Sequence, residues 1–161
     1  IEPKAATNLF DDFLALIKIG FKSFNFLPAY FTFWKPEQLK QLEINFNSIN
    51  CLLNSSKLGK KVFIKNKLNI GSVPLANQCI NIDCNGDIYA NNLVFLRRFS
   101  KYKNLFYLGN VRGLNNFVNL FPKLNSYRYS KFLKDNLPRK VLDSTKRADC
   151  ILTKFVNNLP K

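Results

Sequence analysis

Within its first 54 residues the chain switches hydrophobic period from helical to alternating and back, and this limits its fold more than any other feature. Between Ala5 and Ile19 the apolar residues Leu9, Phe10, Phe13, Leu14 and Ile17 recur at helical spacing. Thr7 or Asn8 is available as cap, Asp11 and Asp12 occupy the first turns, and Gly20 closes the segment. Lys22 to Leu27 then alternates before turning apolar, as a strand does when both of its faces are covered, and Pro28 ends its pairing. Trp34-Lys35-Pro36-Glu37 opens a second helix with proline at or near its first position, and Leu39, Leu42, Phe46, Ile49, Leu52 and Leu53 form its apolar stripe. With Ile1-Glu2-Pro3 as the exit of a preceding strand, the pattern is the α/β alternation of a parallel sheet with helices outside it.

From Ser55 to Lys61 the composition turns polar and basic, and Gly59 breaks the pattern. A domain boundary is expected there, dividing residues 1–56 from 57–161. Short strands follow, with Val62-Phe63-Ile64 a first candidate and Cys79 to Asp83 alternating cleanly. Asn85-Gly86 is a strong hairpin signal because both residues tolerate positive φ, and Ile88 to Asn91 is the returning strand. The spacing also predicts a strand over 105–108, a short helix over 114–121 and a terminal helix over 149–159.

Among 161 residues, 47% hydrophobic content with 16 Phe is ample for a core. No apolar run reaches the roughly 18 residues a spanning helix needs, and residues 1–20 are too charged for a signal peptide, so a soluble, cytoplasmic protein is expected. The absence of Met at position 1 leads to the expectation that residues once preceded Ile1. With no His, the commonest general base is missing, as are the Ser-His and Cys-His dyads and most zinc sites. Cys51, Cys79, Cys84 and Cys150 contain no C-x-x-C pair, so reduced thiols are expected rather than metal binding or disulfides.

The net charge of +15 is unevenly placed: residues 1–56 hold five basic and five acidic side chains, leaving the whole excess to 57–161. Such a field attracts nucleic acid, phosphorylated ligands or an acidic partner. Lys outnumbers Arg 19 to 6, and Asn, Phe and Ile are abundant, a profile that an AT-rich coding sequence also produces.

The stretch Phe24-Asn25-Phe26-Leu27-Pro28-Ala29-Tyr30, followed by Trp34 and the Pro36-Glu37-Gln38-Leu39 helix start, resembles the sixth strand and following helix of radical SAM barrels. Downstream, Ile82-Asp83-Cys84-Asn85-Gly86-Asp87-Ile88-Tyr89, a spacer and Tyr107-Leu108-Gly109-Asn110-Val111 are similar to the core of the SPASM or twitch extension. The resemblance implies an α/β fold: the C-terminal strands and helices of a partial (β/α) barrel over 1–56, then a small α+β extension with a β-hairpin over 57–161. It implies a C-terminal region that contributes to a cofactor and substrate pocket and recognises a peptide or protein substrate. The full-length protein would hold a 4Fe-4S cluster and S-adenosylmethionine, and the missing N-terminal barrel half would be a partner. The family's C-x-x-x-C-x-x-C motif is absent, so the chain alone is expected to be inactive, with no catalytic residue and no cofactor of its own. Ala90, Asn91 and Asn92 stand where a SPASM hairpin places its cluster cysteine, although Cys79 lies where a first extension cysteine is common.

By this resemblance Asn25, Phe26, Leu27 and Pro28 face the cofactor, since parallel-barrel ligands bind at the carboxyl ends of strands. The simpler alternative makes Phe26 and Leu27 core residues and Asn25 a backbone cap. Tyr30 and Trp34, in the loop after the strand, are candidates for substrate stacking or for a lid on the core. Asn91 and Asn92 are candidates for reading a peptide backbone, or simply solvate a turn. The rival function is a basic RNA-binding module, in which Arg97, Arg98, Lys101 and Lys103 interleave with Phe99 and Tyr102. Arg128 and Lys131 repeat that chemistry on a candidate helix, and the reading gains if the two stretches meet.

Overall fold

In the computed structural model, residues 1–55, 61–68, 80–115, 120 and 126–160 are described. They fall into two units: Ile1–Leu75 with Asn136–Lys161, and Ala76–Asp135. The division differs from the one expected after residue 56, because the last long helix packs with the N-terminal elements.

The first unit opens with a 3₁₀ turn, Ala5–Asn8, running into helix α1, Leu9–Ile19. Gly20 ends α1 at φ 109°, a left-handed conformation that costs glycine nothing, and its N–H returns to Ile17 O. Asn8 stands at the N-cap position but makes no capping hydrogen bond. Asn45 of helix α2, Pro36–Ser55, does that work instead. Its Oδ1 accepts from Phe10 N at 3.0 Å, and its Nδ2 donates to Ala6 O at 3.1 Å and to Gln41 O at 2.9 Å.

Strand β1, Ser23–Phe24, pairs in parallel with β2, Phe63–Ile64, with Ser23 opposite Phe63 and Phe24 opposite Ile64. Extended pairing runs further than these short strands. The ammonium of Ile1 donates to Leu27 O at 2.6 Å and Ala29 N donates to Ile1 O at 2.8 Å, the reciprocal pattern of one parallel rung centred on Pro28. A proline suits that position, since the rung uses its neighbours' groups and none of its own. On the other side, the side-chain amide of Asn66 donates to Phe26 O and accepts from Phe26 N, both at 2.8 Å. Three tracks therefore lie side by side in chain order: Ile1, residues 22–28, and residues 63–66.

Alternation along the middle track is strict: Phe24, Phe26 and Pro28 are buried, whereas Ser23, Asn25 and Leu27 are exposed. The buried side meets α1, α2 and the terminal helix α5, Arg139–Asn157. Phe26 is its hub, with ring centroids 5.9 Å from Phe13, 5.5 Å from Phe46 and 5.5 Å from Phe155; Phe46 and Phe155 stack at 4.4 Å. Each such pair contributes about 0.5–1.5 kcal/mol beyond the area it buries. The expectation that both faces of this strand are covered is not met within the described residues, because all three helices lie on one side.

In the second unit, β3 (Asn81–Ile82), β4 (Asp87–Tyr89) and β5 (Tyr107–Asn110) form an antiparallel sheet in the order β3-β4-β5. The strand expected over 105–108 begins two residues later, after a single helical turn, α3, Lys103–Phe106. Helix α4, Ser126–Asn136, adds Phe132, whose ring lies 5.9, 4.9 and 5.1 Å from those of Phe99, Tyr102 and Phe106. The short helix expected over 114–121 falls largely outside the described residues. The terminal helix is longer than expected, beginning ten residues before Asp149.

Candidate functional site

The pleat of the 22–28 segment divides the four candidate cofactor residues. Asn25 and Leu27 point to the face that no described helix of this unit covers, while Phe26 and Pro28 point into the helix-packed core. Leu27 is 47% exposed, and on the neighbouring track Phe63 is 45% exposed. The open face thus offers one carboxamide, Asn25, among Ser23, Leu27 and Phe63. Phe26 and Pro28 have no side-chain access to a ligand there, since adjacent residues of a strand address opposite faces.

Tyr30 to Trp34 follows the strand as a loop held from behind by α5. Trp34 is 1% exposed; its N–H donates to Ser144 Oγ at 3.2 Å and its indole Nε1–H to Ala29 O at 3.0 Å. Of the two roles open to Trp34, the geometry is that of a lid on the core. Phe31, at φ 60°, is the only non-glycine residue with positive φ among those described, so the turn is strained for a bulky side chain. Tyr30 is half-buried and faces Asp149 of α5. Neither the Tyr30 hydroxyl nor Asp149 Oδ1 makes a hydrogen bond of good geometry, although each lies within electrostatic reach of the other. Burial pushes the Asp149 carboxyl up to about 6, opposed in part by the Tyr30 hydroxyl. The phenol is raised as well, first by burial and then by the nearby carboxylate.

Both motifs of the second unit are accounted for by one clasp. Asp83 Oδ1 accepts from the N–H groups of Asn85 and Asp87, closing the turn, and Gly86 takes φ 83°. Asn110 Nδ2 then donates to Asn85 O at 3.2 Å and to Asp87 Oδ1 at 2.8 Å, while Val111 N donates to Gly86 O at 2.9 Å. A β-carbon at Gly86 would stand 2.7 Å from Val111 Cγ2, so the turn requires glycine for space as well as for φ. Gly86 and the Gly109-Asn110-Val111 element are thereby a mutual fit, with Asn110 as staple.

Asn91 is 4% exposed, and its Oδ1 accepts from Leu93 N at 2.9 Å, capping the 3₁₀ turn Asn92–Phe95. Its geometry is that of a backbone cap. The backbone of Asn92 opens that turn, and its side chain is outside the described set, as are Cys79 and the side chain of Arg128. Cys84 is exposed at the hairpin tip. Among the described residues no group of three or more Cys, Asp or Glu is arranged to hold a metal ion.

The two basic stretches do meet. Phe132, next to Lys131, packs against Phe99, Tyr102 and Phe106, which brings α4 onto the 97–106 segment. The rings, however, face inward: Phe99 is 1% exposed and Phe132 7%. Arg97, Arg98, Lys101 and Lys131 are left on the outside. Arg98 covers the Phe99 ring at 5.6 Å, Lys101 covers Tyr102 at 4.9 Å and Lys103 covers Tyr89 at 5.5 Å. Ring faces occupied in this way by the chain's own cations are not free for bases to stack on.

Sequence reasoning missed Asn66 and Asn45, both nearly inaccessible and both holding backbone groups some 40 and 35 residues away in the chain. An asparagine in a Lys-Asn-Lys run carries no mark of burial. For α2, the interruption of its apolar stripe by Asn45 and Asn50 was the one available signal.

No family model matches this chain, and neither a curated protein nor a solved structure matches it. Among the described residues no helix is long and apolar enough to cross a membrane.

Proposed function

We propose that the chain is the C-terminal part of a radical SAM enzyme. In this reading residues 1–56 and the strand after them close an α/β barrel, and the unit around the Asn85-Gly86 hairpin is a twitch-like extension that holds a peptide or protein substrate. One observation carries the reading: three parallel tracks stand in chain order, each joined to the next through a helix, with the described helices of this unit, α1, α2 and α5, all on one side. Purely parallel sheets occur almost only where both faces are covered, and a closed barrel covers its inner face with its own remaining strands. The open face of Ser23, Asn25, Leu27 and Phe63 is then the lumen wall near the barrel mouth. Asn25 becomes the polar contact to the cofactor and Leu27 the apolar one.

The cluster and S-adenosylmethionine would be held by residues upstream of Ile1, because the four cysteines of this sequence form no C-x-x-x-C-x-x-C motif. The test is to translate the coding sequence upstream of Ile1 and to purify the extended protein without oxygen. Three cysteines spaced four and three apart are expected, with a broad iron–sulfur absorption near 400 nm that is lost when they are replaced. An upstream sequence lacking them would overturn the proposal.

The RNA-binding alternative keeps the charge of the second half in its favour and has the occupied ring faces against it. Phosphate contacts release counterions, so retention of RNA that falls steeply with salt would favour it.

A further inference from the structure

A concave groove of about 340 Å³ runs between the N-terminal half of α2 and the middle of α5, and none of the candidate residues discussed so far lines it. Its floor is apolar, formed by Leu39 and Ile151, with Pro36 at one end. Its rim is cationic: Lys40 comes from α2, and Arg147 and Lys154 come from α5, more than 100 residues later in the chain. One carboxylate answers them, Glu43, whose Oε1 lies 3.5 Å from Lys154 Nζ. Three cations against one carboxylate leave a rim charge of +2, with Lys40 and Arg147 in no ion pair among the described residues.

Two like charges brought to one concavity repel each other, and folding holds them there at a small cost that a bound dianion reverses. The volume is that of a small-molecule site, too confined for a macromolecule to enter. An apolar floor beneath a doubly positive rim suits a phosphate or diphosphate ester, the anionic head between Lys40 and Arg147 and the organic part over Leu39 and Ile151. We propose that this groove binds a soluble phosphorylated small molecule. The inference is independent of the barrel reading, because it uses none of the residues that reading assigns to the cofactor or the substrate.

The chain carries its own reporter, since Cys150 lines the groove while Cys51 and Cys84, which are also exposed, do not. Alkylation by iodoacetamide, a neutral reagent, is followed at each cysteine by peptide mass spectrometry. Inorganic pyrophosphate is compared with sodium chloride at equal ionic strength. Occupancy of the site should slow alkylation at Cys150 by at least about threefold and leave Cys51 and Cys84 unchanged, because general screening acts on all three alike. Lys40→Gln with Arg147→Gln should abolish the protection. Glu43→Gln, which removes the one opposing charge, should lower the half-protecting concentration by about fivefold. Lys40 and Arg147 are exposed and Glu43 is partly exposed, and the fluorescence of buried Trp34 reports whether each variant is folded. Equal slowing at all three cysteines, no slowing, or protection that survives the double substitution would overturn the proposal. So would protection by phosphatidylglycerol vesicles in place of pyrophosphate, which assigns the groove to a membrane surface.

Discussion

Asn66 does with a side chain what a strand does with its backbone. Its carboxamide presents a donor and an acceptor to Phe26 in the spacing of a ladder partner, extending β2 past the point where the chain turns away. Asn66→Ala would leave a buried N–H and a buried C=O without partners, so a loss of about 2–4 kcal/mol is expected, read as a lower urea midpoint. Asp149 acts in the opposite sense. Its carboxyl is raised from 3.8 to about 6, so between those values the folded chain holds a proton that the unfolded chain releases. The stability it contributes is therefore full below about pH 4, falls as the pH rises through 6, and is absent above it. Asp149→Asn should stabilise the chain by about 1–2 kcal/mol at pH 8 and change little at pH 4, a difference that thermal melts at the two pH values would register. Neither residue was legible beforehand. Asparagine and aspartate in these positions read as solvated, and what buries them comes from the far end of the chain.

At the scale of elements, the alternation that marks residues 22–28 as a strand also decides which side chains meet helices. Helical spacing over 9–17 and 39–53 supplied the helices that cover them. What the pattern left open is where the terminal helix packs: α5 begins ten residues earlier than its spacing predicts, contributes Phe155 and Leu152 to the same core and fastens the loop after β1 through Ser144. Phe26→Ala removes the ring on which three helices converge, and a loss of about 3–5 kcal/mol is expected in chemical denaturation. The hairpin is a separate case. Asn85-Gly86 was readable as a turn, but its clasp by Asn110 and Val111 joins segments some 25 residues apart. Gly86→Ala meets both a positive φ and a 2.7 Å approach, so hydrogen exchange at Asp87 and Tyr89 should accelerate. Trp34 fluorescence, which reports on the other unit, should be unaltered.

For the molecule as a whole, the consequential feature is the parallel sheet of the first unit, whose described helices all lie on one side. Leu27 and Phe63 stand on the bare side, and Phe21 at its margin is 54% exposed. Apolar surface next to an unpaired sheet edge favours association. Sedimentation of the 161-residue chain should therefore show a concentration-dependent rise in mass, reduced by Leu27→Ser with Phe63→Ser. A monomer at every concentration would count against the open face as a surface that needs covering.

Hydrophobic periodicity, the helix end at Gly20 and the Asn85-Gly86 turn were set by local sterics and by spacing along the chain, so the sequence alone determined the helix, strand and hairpin segments. It also determined the absence of histidine chemistry. Which face of the 22–28 strand meets the helices, the burial of Trp34, the union of α5 with the N-terminal unit and the cationic groove it forms with α2 were decided only in the tertiary structure. Each depends on contacts between residues tens to more than a hundred positions apart, and no local pattern encodes which distant segment will supply the partner.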